Sequence, residues 1–223
     1  ARAFGFWTRK GTLAHRFKDR QSYIAATNAL PFVTLSQPSD WWCHMGTFER
    51  NLATGQLGES AISKWLQERG HAVFPAYQIE YSTGKGPQLF AKYGDLVLPD
   101  LLAFRDGKIQ WFEAKHKSCF TWHRNSEKWV TGIDLRHYGE YQEVAARTSL
   151  PVWLLFLHQN PKPSESDLGY GCPSACPTGL FGNEINILAA CENHRSDRYG
   201  PSGMVYWAYE SLRLFADTGE VTQ

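Results

Sequence analysis

The chain has 223 residues, of which 43% are apolar and 20% are charged, and its formal net charge at pH 7 is +1. This composition is typical of a soluble globular protein with one sizeable domain. No apolar run approaches membrane-spanning length, and the N-terminus lacks the pattern of a signal peptide, so we expect an intracellular, cytoplasmic protein without membrane contact. A nearly neutral balance does not by itself indicate a nucleic-acid-binding protein.

The first twenty residues interleave basic and aromatic side chains. This pattern suits contact with phosphates and stacked bases. An ordinary basic surface, or an arm that packs on its own domain, would leave the same pattern. We treat residues 1–54 as a basic and aromatic extension, in which the residues concerned are Arg2, Phe4, Phe6, Trp7, Arg9, Lys10, Arg16, Phe17, Lys18 and Arg20.

A helix is predicted next, because apolar residues recur at helical spacing until Gly70, which is a natural helix stop. Glu59 falls at the edge of the predicted apolar face, beside Ile62 and Leu66. A carboxylate at that edge either turns outward to solvent or points into a site. The apolar stripe consists of Leu57, Ala61, Ile62, Trp65 and Leu66.

The sequence "HAVFPAYQIEY" predicts a strand and "STGKGPQ" a loop, after which Asp106-Gly107 predicts a tight hairpin turn between two apolar strands. Counting outward from this turn places Asp100 directly opposite Glu113. Because side chains alternate along a strand, Lys115 shares the face of Glu113.

Two carboxylates and an ammonium therefore meet at one end of the hairpin. Directly opposed like charges are destabilising, so we expect a compensating group. Mg²⁺ would suit this place, since it binds one or two carboxylates together with water and phosphate. Alternatively, Lys115 neutralises Glu113 in a surface ion pair of little energetic weight.

The later elements are a loop, a helix and a buried strand. The segment "KSCFTWHRNSEKWVTG" indicates a polar and aromatic loop, and "IDLRHYGEYQEVAARTS" a helix that Pro151 ends. The apolar "PVWLLFLHQ" is typical of a strand buried on both faces. After Asn160 we expect a loop-rich segment, with a strand or strand-turn in "GMVYWAYESLRLFA". The core order is α-β-β-β-α-β.

The sequence contains five cysteines, and this odd number without a secretion signal favours reduced thiols. Cys172, Cys176, Cys191 and His194 could together close a tetrahedral structural Zn²⁺ site. Their spacing is not that of a standard zinc finger, and loop cysteines without a metal are the alternative.

The element order and the motif resemble the PD-(D/E)xK nuclease superfamily, which has the restriction-endonuclease-like fold. The motif stands here as Pro99-Asp100 and Glu113-Ala114-Lys115, and Glu59 matches the glutamate of the family's first helix. The stretch is most similar to the Holliday junction resolvase-like branch. The resemblance covers residues 55–158. Residues 1–54, and residues 159–223 as a C-terminal extension packing on the core, have no such match.

The resemblance implies an α/β fold with a mixed central sheet flanked by helices, and a Mg²⁺-dependent deoxyribonuclease, endonuclease rather than exonuclease. Asp100, Glu113 and Glu59 would hold Mg²⁺, for which Mn²⁺ could substitute, and Lys115 would position or deprotonate the attacking water. The expected partner is DNA, in recombination, repair or phage and defence processing, and a homodimer is an assembly to test.

Further residues are weaker candidates for the site. Some exonuclease branches support the site with a Gln and a Tyr on the second helix, and Tyr138 and Gln142 are similar in reversed order, although Tyr138 also fits core packing. Phosphate and stacking contacts or an ordinary solvated loop both fit Lys117, Trp122, His123 and Arg124. Two other functions remain open: a non-catalytic nucleic-acid-binding module, and a zinc-binding tail on a scaffold.

Overall fold

The computed structural model describes residues 47–76, 87–92 and 94–222. Residues 1–46 of the predicted N-terminal extension lie outside the described residues, and so does the part of the predicted strand "HAVFPAYQIEY" that follows residue 76. The helices are α1 (Thr47–Glu68), α2 (Leu135–Thr148), α3 (Glu165–Gly169), α4 (Ile185–Ala190) and α5 (Thr218–Val221). The strands are β1 (Ala72–Pro75), β2 (Gln88–Leu89), β3 (Leu96–Val97), β4 (Leu101–Arg105), β5 (Lys108–Lys117), β6 (Thr121–His123), β7 (Lys128–Asp134), β8 (Val152–His158), β9 (Gly179–Glu184), β10 (Glu192–Ser196), β11 (Met204–Ala208) and β12 (Arg213–Ala216).

A mixed six-stranded sheet forms the centre of the fold, in the order β1-β4-β5-β8-β9-β12. Strand β5 pairs antiparallel with β4 and parallel with β8, because the chain crosses over through α2 between β5 and β8. Helix α1 packs on one face and α2 on the other. The predicted α/β class with a mixed central sheet is therefore correct. The predicted αβββαβ order is interrupted by the small β2–β3 pair and by β6–β7.

The hairpin of β4 and β5 has the predicted turn. Asp106 and Gly107 both have positive φ, 51° and 73°, as a type I′ turn requires. Arg105 pairs with Lys108, and the register continues to Leu101 opposite Phe112. One further step along both strands places Asp100 opposite Glu113, which is the predicted alignment.

Helix α1 presents a slightly different face to the sheet than the sequence predicts. Ile62, Trp65 and Leu66 are buried as expected, but Leu57 is 61% exposed, so its assignment to the apolar face was wrong. The stripe that contacts the sheet instead begins at Gly58, four residues before Ile62, which is the correct helical spacing. Because glycine has no side chain, a search for apolar side chains does not identify residue 58 as part of this face.

A second sheet has the order β10-β11-β7-β6. The segment predicted as a polar and aromatic loop contributes β6 and β7, so that prediction was wrong. Helix α2 packs between the two sheets, since Tyr138 contacts Trp207 of β11 while Val144 joins the same buried cluster as Phe156 of β8. The C-terminal segment also contains more strand than expected, because β9 and β12 complete the central sheet.

All of these elements belong to one compact unit, residues 46–223. Among the helices described here, none combines the length and the apolar character needed to cross a membrane.

Candidate functional site

Asp100 lies just before β4 and is fixed to β5 by its side chain. Its Oδ2 accepts a hydrogen bond of 2.9 Å from the backbone N–H of Ala114. Strand β4 no longer pairs with β5 at this point, so the Asp100 carboxylate accepts the hydrogen bond of the Ala114 N–H in place of a backbone carbonyl. This contact holds Asp100 beside the neighbouring Glu113, and it gives Asp100 a structural role as well as a candidate chemical one.

Glu113 is a buried carboxylate with few polar neighbours. Its side chain is 0% exposed, and Lys115 Nζ forms an ion pair with Oε1. The Tyr141 hydroxyl of α2 lies against the same carboxylate. Within the described residues, neither oxygen of Glu113 has a hydrogen bond of normal geometry. A buried carboxylate left so poorly satisfied is costly unless a positive charge compensates it.

The pKa values in this group show how strongly the charges interact. Burial raises the pKa of Asp100 well above its usual value, and the charge of Glu113 adds to this while Lys115 opposes it. Burial alone would lower the pKa of Lys115, but the carboxylates of Glu113 and Asp100 outweigh it and hold that pKa above the usual value. Lys115 is therefore an ammonium at neutral pH.

Glu59 reaches the same group from helix α1. The neighbouring Gly58 lies against β5, and a Cβ at that position would stand 2.4 Å from the Cβ of His116. Burial raises the pKa of Glu59, Lys115 opposes that shift, and Glu113 adds to it. The charges of Lys115 and Glu113 thus both act on the Glu59 carboxyl.

Helix α2 presents Tyr141 to the site instead of the two predicted residues. Tyr138 is buried with its ring against Trp207, at 5.3 Å between ring centroids, and Gln142 is exposed. The structure therefore does not bring Gln142 or Tyr138 to Glu113. Tyr141 could have been found from the sequence by a stripe through residues 138, 141 and 144, which are the buried positions of α2.

The other predicted contact residues separate into two places. Lys117 follows Lys115 on the same face of β5, and burial, with the charge of Lys115, lowers its pKa. Trp122, His123 and Arg124 belong to β6 and the following turn. They line a cavity of about 600 Å³ whose lining does not include Asp100, Glu113 or Lys115.

The predicted zinc site is not supported by the positions of its four residues. Within the described part of the chain no three His, Cys, Asp or Glu side chains are grouped to hold a metal. Cys176 is buried in an apolar cluster with Cys172, and its thiol donates to the Asn160 carbonyl at 3.1 Å. Cys191 is exposed, and His194 stacks on other rings. Two of the thiols are thus packed as small apolar groups, and the described part of the chain does not group three of the four predicted ligands.

Among the described residues, Asp100, Glu113 and Glu59 also do not form a group of three side chains close enough to hold one metal ion. A divalent cation there would depend on Asp100 and Glu113, with backbone carbonyl oxygens or water as further ligands. The hard carboxylate oxygens suit Mg²⁺ or Mn²⁺, and Oε2 of Glu113 has neither an ion pair nor a hydrogen bond of normal geometry among the described residues. The residues present therefore fit such an ion.

No family model matches the sequence, and no curated protein matches it. Among solved structures, the chain is similar to Hjc, a Holliday junction resolvase from the archaeal hyperthermophile Archaeoglobus fulgidus. The TM-score is 0.41 and the sequence identity 10%, over 76% of this chain and 100% of the other. A likeness at this TM-score is too distant to assign a function to this chain.

Proposed function

We propose that the protein is a metal-dependent nuclease that hydrolyses DNA phosphodiester bonds at the hairpin end of β4 and β5. The observation that carries this proposal is the wholly buried Glu113, whose carboxylate meets Lys115 and lies beside Asp100. Concentrated, incompletely satisfied charge of this kind is more typical of a functional site than of a sheet interior.

Asp100 and Glu113 would hold the cation, Mg²⁺ or Mn²⁺, with the main-chain carbonyl of Ala114 and Glu59 as further candidate ligands. When bound, the ion supplies Lewis-acid stabilisation of the phosphate and promotes ionisation of water. Tyr141 orients the Glu113 carboxylate from the side of α2. The Ala114 N–H keeps Asp100 in place through the bond described above.

Lys115 supplies positive charge next to the reacting phosphate. Because its pKa is held above the usual value, it is protonated at neutral pH and does not act as the base in this state. Its ammonium instead stabilises negative charge that develops on the phosphate and positions the attacking water. This role agrees with a side chain that is 34% exposed and thus accessible from solvent.

The finer assignment is a restriction-endonuclease-like αβββαβ core with structure-specific endonuclease activity, of the Holliday junction resolvase-like kind. It is supported by the Pro99-Asp100 and Glu113-Ala114-Lys115 motif on adjacent strands and by the parallel pairing of β5 with β8. We further propose a homodimer, since a four-way junction presents two equivalent strands for cleavage.

A second candidate function is a non-catalytic nucleic-acid-binding module with the same fold. The observation in its favour is that Lys115 contacts Glu113 directly, while no three ligand side chains are grouped within the described residues. An ion pair alone could then stabilise the hairpin end without any metal.

The test compares the wild type with Asp100→Asn and Glu113→Gln on linear, circular, single-stranded and four-way-junction DNA. We expect Mg²⁺-dependent cleavage by the wild type, loss of cleavage in both variants, and weaker Mg²⁺ binding by calorimetry without DNA. Binding of DNA by a wild type that neither cleaves it nor binds Mg²⁺ or Mn²⁺ would favour the second candidate.

A further inference from the structure

A cleft on the second sheet combines aromatic rings with arginines. It is the cavity of about 600 Å³ introduced above, a volume in the range of small-molecule and cofactor sites. We call it the aromatic–arginine cleft. Its lining includes Trp122, His123, Arg124, Tyr170, His194, Arg195, Arg198, Tyr199 and Tyr206.

Stacked rings form one wall of this cleft. His123 stacks on His194 with ring centroids 3.8 Å apart, and His194 stacks on Tyr206 at 4.6 Å, both with nearly parallel planes. His123 belongs to β6 and His194 to β10, which are the two edges of the second sheet. Their contact shows that side chains from the two edge strands reach across the face of the sheet and meet, which gives the cleft an aromatic wall.

Two arginines of the cleft lack a carboxylate partner in the described part of the chain. Arg195 is neutralised by a double contact with Glu192, at 2.8 Å each. Arg124 instead lies 3.9 Å above the ring of Tyr170, and Arg198 has no ion pair among these residues. A guanidinium without an acidic partner, whether it lies on a ring as Arg124 does or is exposed as Arg198 is, is available to an anionic ligand.

Asp167 is the acidic residue in the lining, and its charge is already engaged. Ser164 Oγ donates to its Oδ2 at 2.8 Å, and the Trp122 backbone N–H donates to Oδ1 at 3.3 Å. These bonds disperse its negative charge and fix the start of β6 against α3. The exposed rim of the cleft, in contrast, carries Arg198 and Tyr199, and Tyr199 is 64% exposed.

We propose that the aromatic–arginine cleft binds an unpaired nucleotide of a single-stranded nucleic acid. An exposed ring offers a face on which a base can stack, and a neighbouring free guanidinium can bind the phosphate. Bases inside a duplex are already stacked on each other and cannot enter a cleft of this size. The inference rests on the proposed nuclease function only in its choice of nucleic acid as the ligand.

The test is fluorescence anisotropy with labelled oligo(dT) and oligo(rU), using the full chain in EDTA so that no cleavage occurs. We expect Tyr199→Ala to weaken binding about 5- to 150-fold, as the loss of one stacked base does. Arg198→Ala should reduce the slope of log affinity against log salt by about 0.7, the value for one phosphate contact on a single strand. Tyr199→Ala should leave that slope unchanged.

Both residues lie in the bend between β10 and β11, outside the strand ladders, so the variants should keep the wild-type melting temperature. Tyr199→Phe keeps the ring and should bind like the wild type, and Arg213→Ala, an exposed arginine of β12 outside the cleft, should not change the salt slope. Equal affinity for oligo(dT) and oligo(rU) would show that the cleft recognises the base and phosphate common to DNA and RNA. A higher affinity for one of them would show which of the two nucleic acids is the ligand.

Wild-type affinity in both cleft variants would overturn the proposal, as would equal losses for duplex and single-stranded DNA. Binding of an acidic peptide in place of oligonucleotides would also overturn it. The nuclease proposal is tested separately by the cleavage assay in Mg²⁺. If the wild type fails to cleave DNA in that assay, the effects of Tyr199→Ala and Arg198→Ala on oligonucleotide binding in EDTA should still be observed.

Discussion

Replacing Lys115 with alanine removes the ammonium that contacts Glu113. We expect cleavage of DNA to fall about 100- to 1,000-fold, because the charge acts on the transition state more than on the bound substrate. Stability should also fall, by about 1–3 kcal/mol, since the buried Glu113 loses the positive charge that compensates it. Turnover with saturating DNA and urea unfolding measure the two effects.

Lys108→Ala is the matched control, because Lys108 lies on the same strand at the exposed turn end. It should cleave at the wild-type rate. Unchanged cleavage by Lys115→Ala with lowered stability would show that Lys115 is only a structural ion-pair partner.

Tyr141→Phe tests whether the hydroxyl orients Glu113. Losing a group that supports a metal-binding carboxylate typically costs 10- to 100-fold in metal affinity, so we expect the Mg²⁺ concentration for half-maximal cleavage to rise by about 10-fold. Tyr138→Phe should not change it, since the Tyr138 hydroxyl is directed to Glu192. Equal Mg²⁺ dependence in the two variants would contradict the role of Tyr141.

His158 should make stability depend on pH. It is fully buried with its ring stacked on Phe120, and burial lowers its pKa from 6.5 to about 3, with Lys117 adding to the shift. Below pH 6.5 the unfolded chain binds a proton that the folded chain does not. Stability is therefore lost as the pH falls from about 6.5 toward 3, by at most about 1.4 kcal/mol per unit.

The variant His158→Phe should lose this part of the pH dependence, because phenylalanine keeps the stack on Phe120 and cannot be protonated. Urea unfolding at neutral pH and at about pH 5 measures it. The same fall in stability for wild type and variant would contradict the assignment.

For single residues, the sequence predicted the positions that are fixed by local backbone geometry. A two-residue turn fixes the register, so Asp100, Glu113 and Lys115 could be placed by counting. The helical stripe of α2 identifies Tyr141 as a buried position, but its contact with Glu113 could not be placed by counting, because it depends on how α2 is rotated against the sheet. The zinc site stays a prediction, and the sequence could not show the surroundings of its ligands, since spacing along the chain does not reveal that Cys176 faces an apolar cluster.

Among the secondary-structure elements, helix α1 and strand β5 approach each other closely at Gly58, and this contact can be tested by substitution. In Gly58→Ala the new Cβ would stand 2.4 Å from His116 Cβ, so the helix must move. We expect a loss of about 1–3 kcal/mol in stability, as for other overpacked contacts, and slower cleavage because Glu59 moves with the helix. Urea unfolding and cleavage assays measure both.

Gly55→Ala in the same helix is the control, since among the described residues nothing outside the helix's own backbone lies within 4 Å of a Cβ there. It should stabilise the protein by about 0.5–1 kcal/mol, which is the usual gain in a helix interior. A Gly58→Ala variant that behaves like Gly55→Ala would show that the close contact is absent.

Elements with a strong single period were predicted well, and mixed segments were not. Helix α2 has such a period, and strand β8 is a short, continuous apolar run, and both were found. Strands β6 and β7 mix aromatic, charged and polar residues because one face of their sheet lines the cleft. Strand β9 contains two glycines in six residues, and its burial comes from β8 and β12 on either side, which the sequence cannot show locally.

For the whole molecule, a chain truncated after Ser202 should not unfold cooperatively. The truncated chain lacks β11, which lies between β10 and β7, and its core lacks the buried side chains of Val205 and Trp207. A chain that ends at Ala216 loses only α5 and the Arg69–Glu220 ion pair, so it should remain folded with lower stability. Near-ultraviolet circular dichroism and urea unfolding distinguish the two, and cooperative unfolding of the shorter chain would contradict the prediction.

The position of β11 between β7 and β10 also sets an order of events on the ribosome. Strand β7 must wait for β11 while roughly seventy further residues are synthesised, about 4 to 14 s at usual elongation rates. During that time β7 exposes an unpaired edge to other nascent chains, and β9 likewise waits for β12. Slower translation therefore lengthens the period in which this protein is open to aggregation, and a chaperone that covers sheet edges should raise its yield.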